Sequence, residues 1–269
     1  MLKKLIKYDL KYGAKIFIVI HALLWIAAIF GRVFFLDRID FDAPAEQLVS
    51  ALVLFFSAFV LLFSVVSLAT ALLIAARFYK NLFTDEGYLT WTLPASPVQQ
   101  LWAKILSGCI WNILDLILLY SATYFMWISP NVQNAYRMIA AEFTASLGMP
   151  LSKFFLLMVL LSIIGVGSNV LMLYASISIG QLFPAHRLLL SVIVYFIFYM
   201  IIYALSMGAL IIFKLLPGIA LSANTVNEAA SMSTYLTGTF LISLVLSAVM
   251  AVIQYVITHL ILTRKLNLI

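Results

Sequence analysis

Residues 188–213 read LLLSVIVYFIFYMIIYALSMGALIIF, a run without one charged side chain. As a helix rising about 1.5 Å per residue it extends roughly 39 Å, enough to cross the roughly 30 Å hydrocarbon layer of a bilayer. Runs of the same kind recur at residues 16–36, 47–76, 105–128, 154–180 and 236–262, so six spans are expected. Strands of a membrane β-barrel are about ten residues long and alternate in polarity, which excludes a barrel for runs this continuous. The second run, roughly 45 Å long as a helix, is expected to tilt or to project beyond the bilayer. The fold class predicted is all-α: a polytopic membrane protein forming one transmembrane domain over residues 1–269.

Composition agrees. The chain has 269 residues, 65% of them hydrophobic and only 10% charged, and its mean hydropathy is +1.13. Soluble domains carry roughly 25% charged residues, and so few charges do not cover the surface of a globule this size. A single cysteine, seven prolines and no glycine period exclude disulfide frameworks and collagen-like chains. Cys109 lies inside the third run.

The charges mark sides. An even number of spans leaves both termini on one side, with Lys3, Lys4, Lys7, Lys11, Lys15, Arg77, Lys80, Lys104, Arg187, Arg264 and Lys265. The other side holds only Arg32, Arg38, Arg137, Lys153 and Lys214, together with Asp37, Asp40, Asp42, Glu46, Glu142 and Glu228. By the positive-inside rule the termini are cytoplasmic. The net charge of +6 is then a matter of topology, and no nucleic-acid partner is needed to explain it. The N-terminus does not read as a cleaved signal peptide, because the apolar run is too long and no small-residue cleavage site follows it.

Between the spans, residues 1–15 read as an amphipathic helix lying on the inner leaflet, with the five lysines within about 120° of arc. Residues 77–104, RFYKNLFTDEGYLTWTLPASPVQQLWAK, form the richest soluble segment. Thr84, Asp85 and Glu86 look like a helix start, Pro94 and Pro97 break the chain, and Trp102 suits an interfacial anchor. So many aromatics on a short loop suit contact with another protein. Residues 181–187 make a tight inner turn in which His186, beside Arg187, reads as a contact or solvated residue. Residues 214–235, with Pro217 and Gly218, are candidates for a re-entrant stretch or a cap on an exit route.

No catalytic motif is present: no H-E-x-x-H, no nucleophile elbow and no phosphate-binding G-x-x-x-x-G-K-[ST]. His21, His186 and His259 have no metal-ligand spacing, so no metal and no cofactor are expected on this chain. Asp115 is the one acid within a span; Asn112 shares its face, and Asn169 lies at a similar depth. These three are candidates for a translocation path, against the alternative of a packing hydrogen bond. His21 and His259 are expected nearer the inner interface, away from Asp115, and Arg32 is expected to snorkel outward. Tyr195, Tyr199 and Tyr203 recur every four residues on one face, as do Tyr120 and Tyr124. Such a stripe lines a cavity or packs helix on helix; Gly165 and Gly167 suit close helix approach.

The run Phe78-Tyr79-Lys80-Asn81-Leu82-Phe83-Thr84-Asp85-Glu86-Gly87-Tyr88-Leu89, then Thr92-Leu93-Pro94, resembles type-2 permease subunits of bacterial ATP-binding-cassette transporters. Ser178-Ile179-Gly180-Gln181-Leu182-Phe183, with His186 and Arg187, is similar to the same family, as is the order of elements along the chain. The resemblance implies that Asn81 through Tyr88, with Tyr79 and Lys80, form a main coupling helix docking on a separate ATPase subunit. It implies a second contact through Gln181, Leu182, Phe183 and His186, with residues 1–15 as a connecting helix. Mg-ATP would be held by the partner ATPase, and a second permease copy would complete the unit, as a homo- or heterodimer. The expected function is the membrane subunit of an ATP-driven exporter of an amphipathic peptide, drug or lipid-like substrate, in the bacterial plasma membrane. An ion-coupled transporter or channel centred on Asp115 is the alternative; an intramembrane enzyme lacks paired catalytic side chains at matching depth.

Overall fold

The computed structural model describes residues 1–39, 44–216 and 232–264. Asp40, Asp42, Pro217, Gly218, Glu228 and Lys265, and with them most of the 214–235 stretch, lie outside the described residues. The helices are α1 (Leu2–Gly31), α2 (Ala45–Phe83), α3 (Asp85–Thr92), α4 (Pro97–Trp127), α5 (Pro130–Leu147), α6 (Leu151–Gly180), α7 (Arg187–Ile212) and α8 (Met232–Arg264). A π-helical turn, Arg32–Leu36, extends α1, and a 3-10 turn, Pro184–His186, precedes α7. Six of these helices, α1, α2, α4, α6, α7 and α8, are long and apolar enough to cross a membrane, and among the described residues there is no strand. The protein is an all-α, multi-pass membrane-type fold.

Local chemistry sets the boundaries. Ser96 caps α4, its hydroxyl accepting from the Gln99 amide at 3.3 Å, and Pro97 opens the helix where no amide hydrogen is needed. Gly148 ends α5 in the left-handed conformation, φ +71°, and Pro150 follows at the start of α6. Helices α2, α4 and α8 each run several residues past the apolar stretches of the sequence, because helices do not stop where hydrophobicity does.

Three expectations about the fold are corrected by the structure, the first two by the helix boundaries. Residues 2–15 are not a separate surface helix; they continue unbroken into the first span. The stretch after the third apolar run, for which the sequence predicts no span, is the 18-residue helix α5, with no residue buried.

Helix α6 lies centrally, touching α2, α4, α7 and α8, while α1 packs along α4. At one end of the bundle Phe78, Leu82 and Phe83 of α2 meet Leu101 and Ile105 of α4, Tyr174 and Ile177 of α6, and Leu262 of α8. Nearer the other end Leu24 and Ala28 of α1 pack on Phe59 and Val66 of α2 and on Ala122 and Met126 of α4. A third cluster, Met172, Ala175, Phe198 and Met250, joins α6, α7 and α8. Gly108 is a point of close approach between α4 and α6. A Cβ there would lie 2.8 Å from the Tyr174 hydroxyl and 3.0 Å from Val170. Gly165 and Gly167, expected to serve helix approach, face open space instead, with nothing within 4 Å of an added Cβ.

Candidate functional site

The loop after the second span is built on the end of α2. Thr84 leaves the helix with extended backbone (φ −115°, ψ −168°), and its hydroxyl donates to the Lys80 carbonyl at 2.6 Å instead of capping α3. Helix α3 then folds back: the Trp91 indole donates to Leu82 O at 3.3 Å, and the Gln100 amide donates to Thr90 O at 2.9 Å. The break falls within the expected 81–88 coupling helix, so Asn81 to Phe83 close α2 while Asp85 to Tyr88 open α3.

Burial divides the candidate docking residues. Leu82, Phe83 and Gly87 are buried, and Phe83 packs against Phe78 at 5.7 Å between ring centroids, so these three support the surface and do not form it. Tyr79 and Asn81 are half-buried, Tyr79 stacking along Phe83. Lys80, Asp85, Glu86, Tyr88 and Leu89 are exposed. In the turn after α6, Gln181 is half-buried, whereas Leu182, Phe183 and His186 are exposed. Both surfaces rise from one core cluster, since Phe78 and Leu82 pack with Tyr174 and Ile177, and so they share an end of the bundle.

Behind α3 lies a charge network that reading the sequence missed. Asp9 of α1 is 5% exposed and accepts from Lys104 Nζ at 2.6 and 2.8 Å; Lys104 is itself 4% exposed. Arg77 of α2 donates to the same carboxylate at 3.0 Å, reaches Glu86 of α3 at 3.1 Å and lies 4.4 Å over the Tyr12 ring. Four helices, α1, α2, α3 and α4, thus contribute charge, and Arg77 joins the buried group to the exposed one. The signal was available: on a helical wheel Asp9 falls roughly opposite the lysine arc, in line with Gly13 and Phe17.

Deeper in the bundle, Asp115 is 3% exposed and both its oxygens are engaged. His21 Nε2 lies 2.9 Å from Oδ1, and Ser67 donates to Oδ2 at 3.1 Å. The His21 placement corrects the expectation that it lies away from Asp115. Asp9 pairs with Lys104 and His21 with Asp115, sequence offsets of 95 and 94, so one register aligns α1 with α4 at both heights. His21 Nδ1 lies 2.8 Å from Phe17 O, an acceptor only, so Nδ1 carries a hydrogen. A hydrogen between Nε2 and Oδ1 completes the contact.

The other path candidates do not converge on Asp115. Asn112 donates to Gly108 O at 3.1 Å, and Asn169 is half-buried on α6. Tyr195 is half-buried against α6 and α8, while Tyr199 and Tyr203 point out of the bundle. Tyr120 bonds Ser162 at 2.7 Å, tying α4 to α6. Arg32 does not simply snorkel: it donates to Phe125 O at 3.0 Å and lies 3.6 Å from Asp37. Gln254 of α8, wholly enclosed, was also missed, since one amide in an apolar run gives no pattern. Among the described residues no cluster of three or more His, Cys, Asp or Glu is placed to hold a metal ion. At the end of the bundle opposite α3, a cleft of about 930 Å³ opens between α6, α7 and α8, lined mostly by apolar side chains such as Met149, Phe213, Leu241 and Val245, with Lys153 among them.

These features define a class, a multi-pass helical membrane protein with two exposed surfaces supported by one core cluster at one end of the bundle. No known protein family, no curated protein and no solved structure matches the chain.

Proposed function

We propose that this chain is the membrane subunit of an ATP-driven exporter, its termini in the cytoplasm of a bacterial cell and its cargo amphipathic. One observation carries the reading. Two exposed surfaces, Lys80 with Asp85, Glu86, Tyr88 and Leu89, and Leu182 with Phe183 and His186, share one end of the bundle over a common core. Charged and aromatic residues exposed on a rigid support suit docking of another protein. A separate ATPase subunit there would supply energy, and Arg77 would carry movement of α3 to the carboxylate that joins α1 and α4. The mainly apolar cleft at the far end suits an amphipathic cargo. A second copy of the chain would complete the unit, against the broad apolar face of α7.

The reading centred on Asp115 as an ion-coupling site draws less support, because its carboxyl is enclosed and fully bonded, as a packing interaction requires. The test is co-expression of the full chain with candidate ATP-binding-cassette ATPase subunits of the same organism. A stable complex is expected, weakened at least about tenfold by Asp85→Lys with Phe183→Ala, surface changes at a docking centre. A complex of unchanged affinity would refute the docking surface; absence of any complex would refute the class.

A further inference from the structure

We propose that the N-terminal part of α1 binds the anionic headgroups of the adjoining leaflet through a ladder of five lysines. Lys3, Lys4, Lys7, Lys11 and Lys15 are all exposed, and among the described residues none forms an ion pair. At about 100° per residue they occupy one flank of the helix, while Asp9, Gly13 and Phe17 are buried on the other side against α4 and α2. Because α1 runs unbroken into the first span, the ladder does not lie flat on the membrane; it stands across the membrane surface.

Register places that surface. The Asp9–Lys104 and His21–Asp115 pairs set Lys7 level with Trp102, Lys11 with Leu106 and Lys15 with Ile110. Trp102 is an exposed aromatic of the kind that sits at headgroup level, and Leu106 and Ile110 are exposed and apolar, as lipid-facing residues are. The ladder therefore spans the change from headgroup to acyl chain, where lysines extend toward phosphate. Nothing within the helix favours its arrangement. Like charges four residues apart repel, and cations in the first turns oppose the helix dipole. An external row of phosphates relieves both, and a soluble acidic partner has no access at the level of Lys11 and Lys15.

The experiment uses the full chain in phosphatidylcholine bilayers doped with spin-labelled phosphatidylglycerol or spin-labelled phosphatidylcholine. The fraction of each label immobilised by the protein is the readout. The expected result is a preference for phosphatidylglycerol of roughly threefold or more, given the attraction each surface lysine contributes. That preference falls toward equality when all five lysines become Gln, survives their change to Arg, and is untouched by excess inorganic phosphate. Should the five-Gln chain fail to insert, Lys11→Gln with Lys15→Gln is expected to remove the larger part of the preference. Equal immobilisation of both lipids, a preference that survives the Gln changes, or its abolition by free phosphate would each overturn the proposal.

Discussion

Helices α1 and α7 both cross the bundle, and they are held by opposite means. Helix α1 is fastened to α4 by charge at two heights, Asp9 to Lys104 and His21 to Asp115, with Phe17 stacked on Trp111 at 3.8 Å between them. Helix α7 has no ion pair among the described residues; it rests on α6 and α8 through Phe198 and a few apolar neighbours, and most of its large side chains face outward. In a bilayer, apolar contact between helices gains little over contact with lipid. The comparison teaches that register is specified where the chain spends buried charge, along α1 and α4, and is left adjustable along α7. The proposed exporter, rocking its spans, would need one part fixed to the docking surface and another free to move.

The comparison breaks most visibly at Asp9. Asp9→Ala strands Lys104 in a buried site and is expected to remove about 3–5 kcal/mol of stability, read from unfolding in mixed micelles. Pairing Asp9→Leu with Lys104→Met should recover much of that loss, because no uncompensated charge remains in the pair. A smaller effect is expected at the α4–α6 contact. Gly108→Val meets Tyr174 and Val170 and should cost about 1–3 kcal/mol, whereas Gly165→Val faces open space and should shift stability by under about 0.5 kcal/mol. Equal losses at the two glycines would remove the distinction between closed and open faces.

Smaller still is the intramembrane pair. His21→Phe should cost about 1 kcal/mol, the scale of hydrogen bonds measured between membrane helices, and Asp115→Asn less, since an amide still bonds Ser67. The least effect belongs to α7: Tyr199→Phe and Tyr203→Phe should each change folding stability of the single chain by under about 0.5 kcal/mol. A large loss there would mean that α7 is as firmly held as α1.

Six spans were legible in the sequence because an apolar run longer than 20 residues with at most one charge has few other uses. The pairing between spans was not. Residue offsets of 94 and 95 depend on how α1 and α4 slide against each other, which neither sequence states alone. His21 was accordingly placed at the wrong depth relative to Asp115, since α1 begins well outside the apolar run and α4 does too. Phe83 and Leu82 were read as exposed because a loop was expected around them; in fact α2 continues to Phe83, and its last turn faces α4 and α6. Helix α5 escaped notice among polar residues, although Pro130 and Gly148 stand at its two ends where a helix start and stop belong.

The surface at the α3 end is proposed to take up the work of an ATPase. Its most direct test is the rate of ATP hydrolysis by the co-expressed ATPase subunit, measured with and without this chain in the same liposomes. Hydrolysis is expected to be stimulated severalfold by the intact chain and to return to the unstimulated rate with Asp85→Lys and Phe183→Ala, at unchanged helicity. Hydrolysis indifferent to the chain, or stimulated equally by that variant, would contradict it.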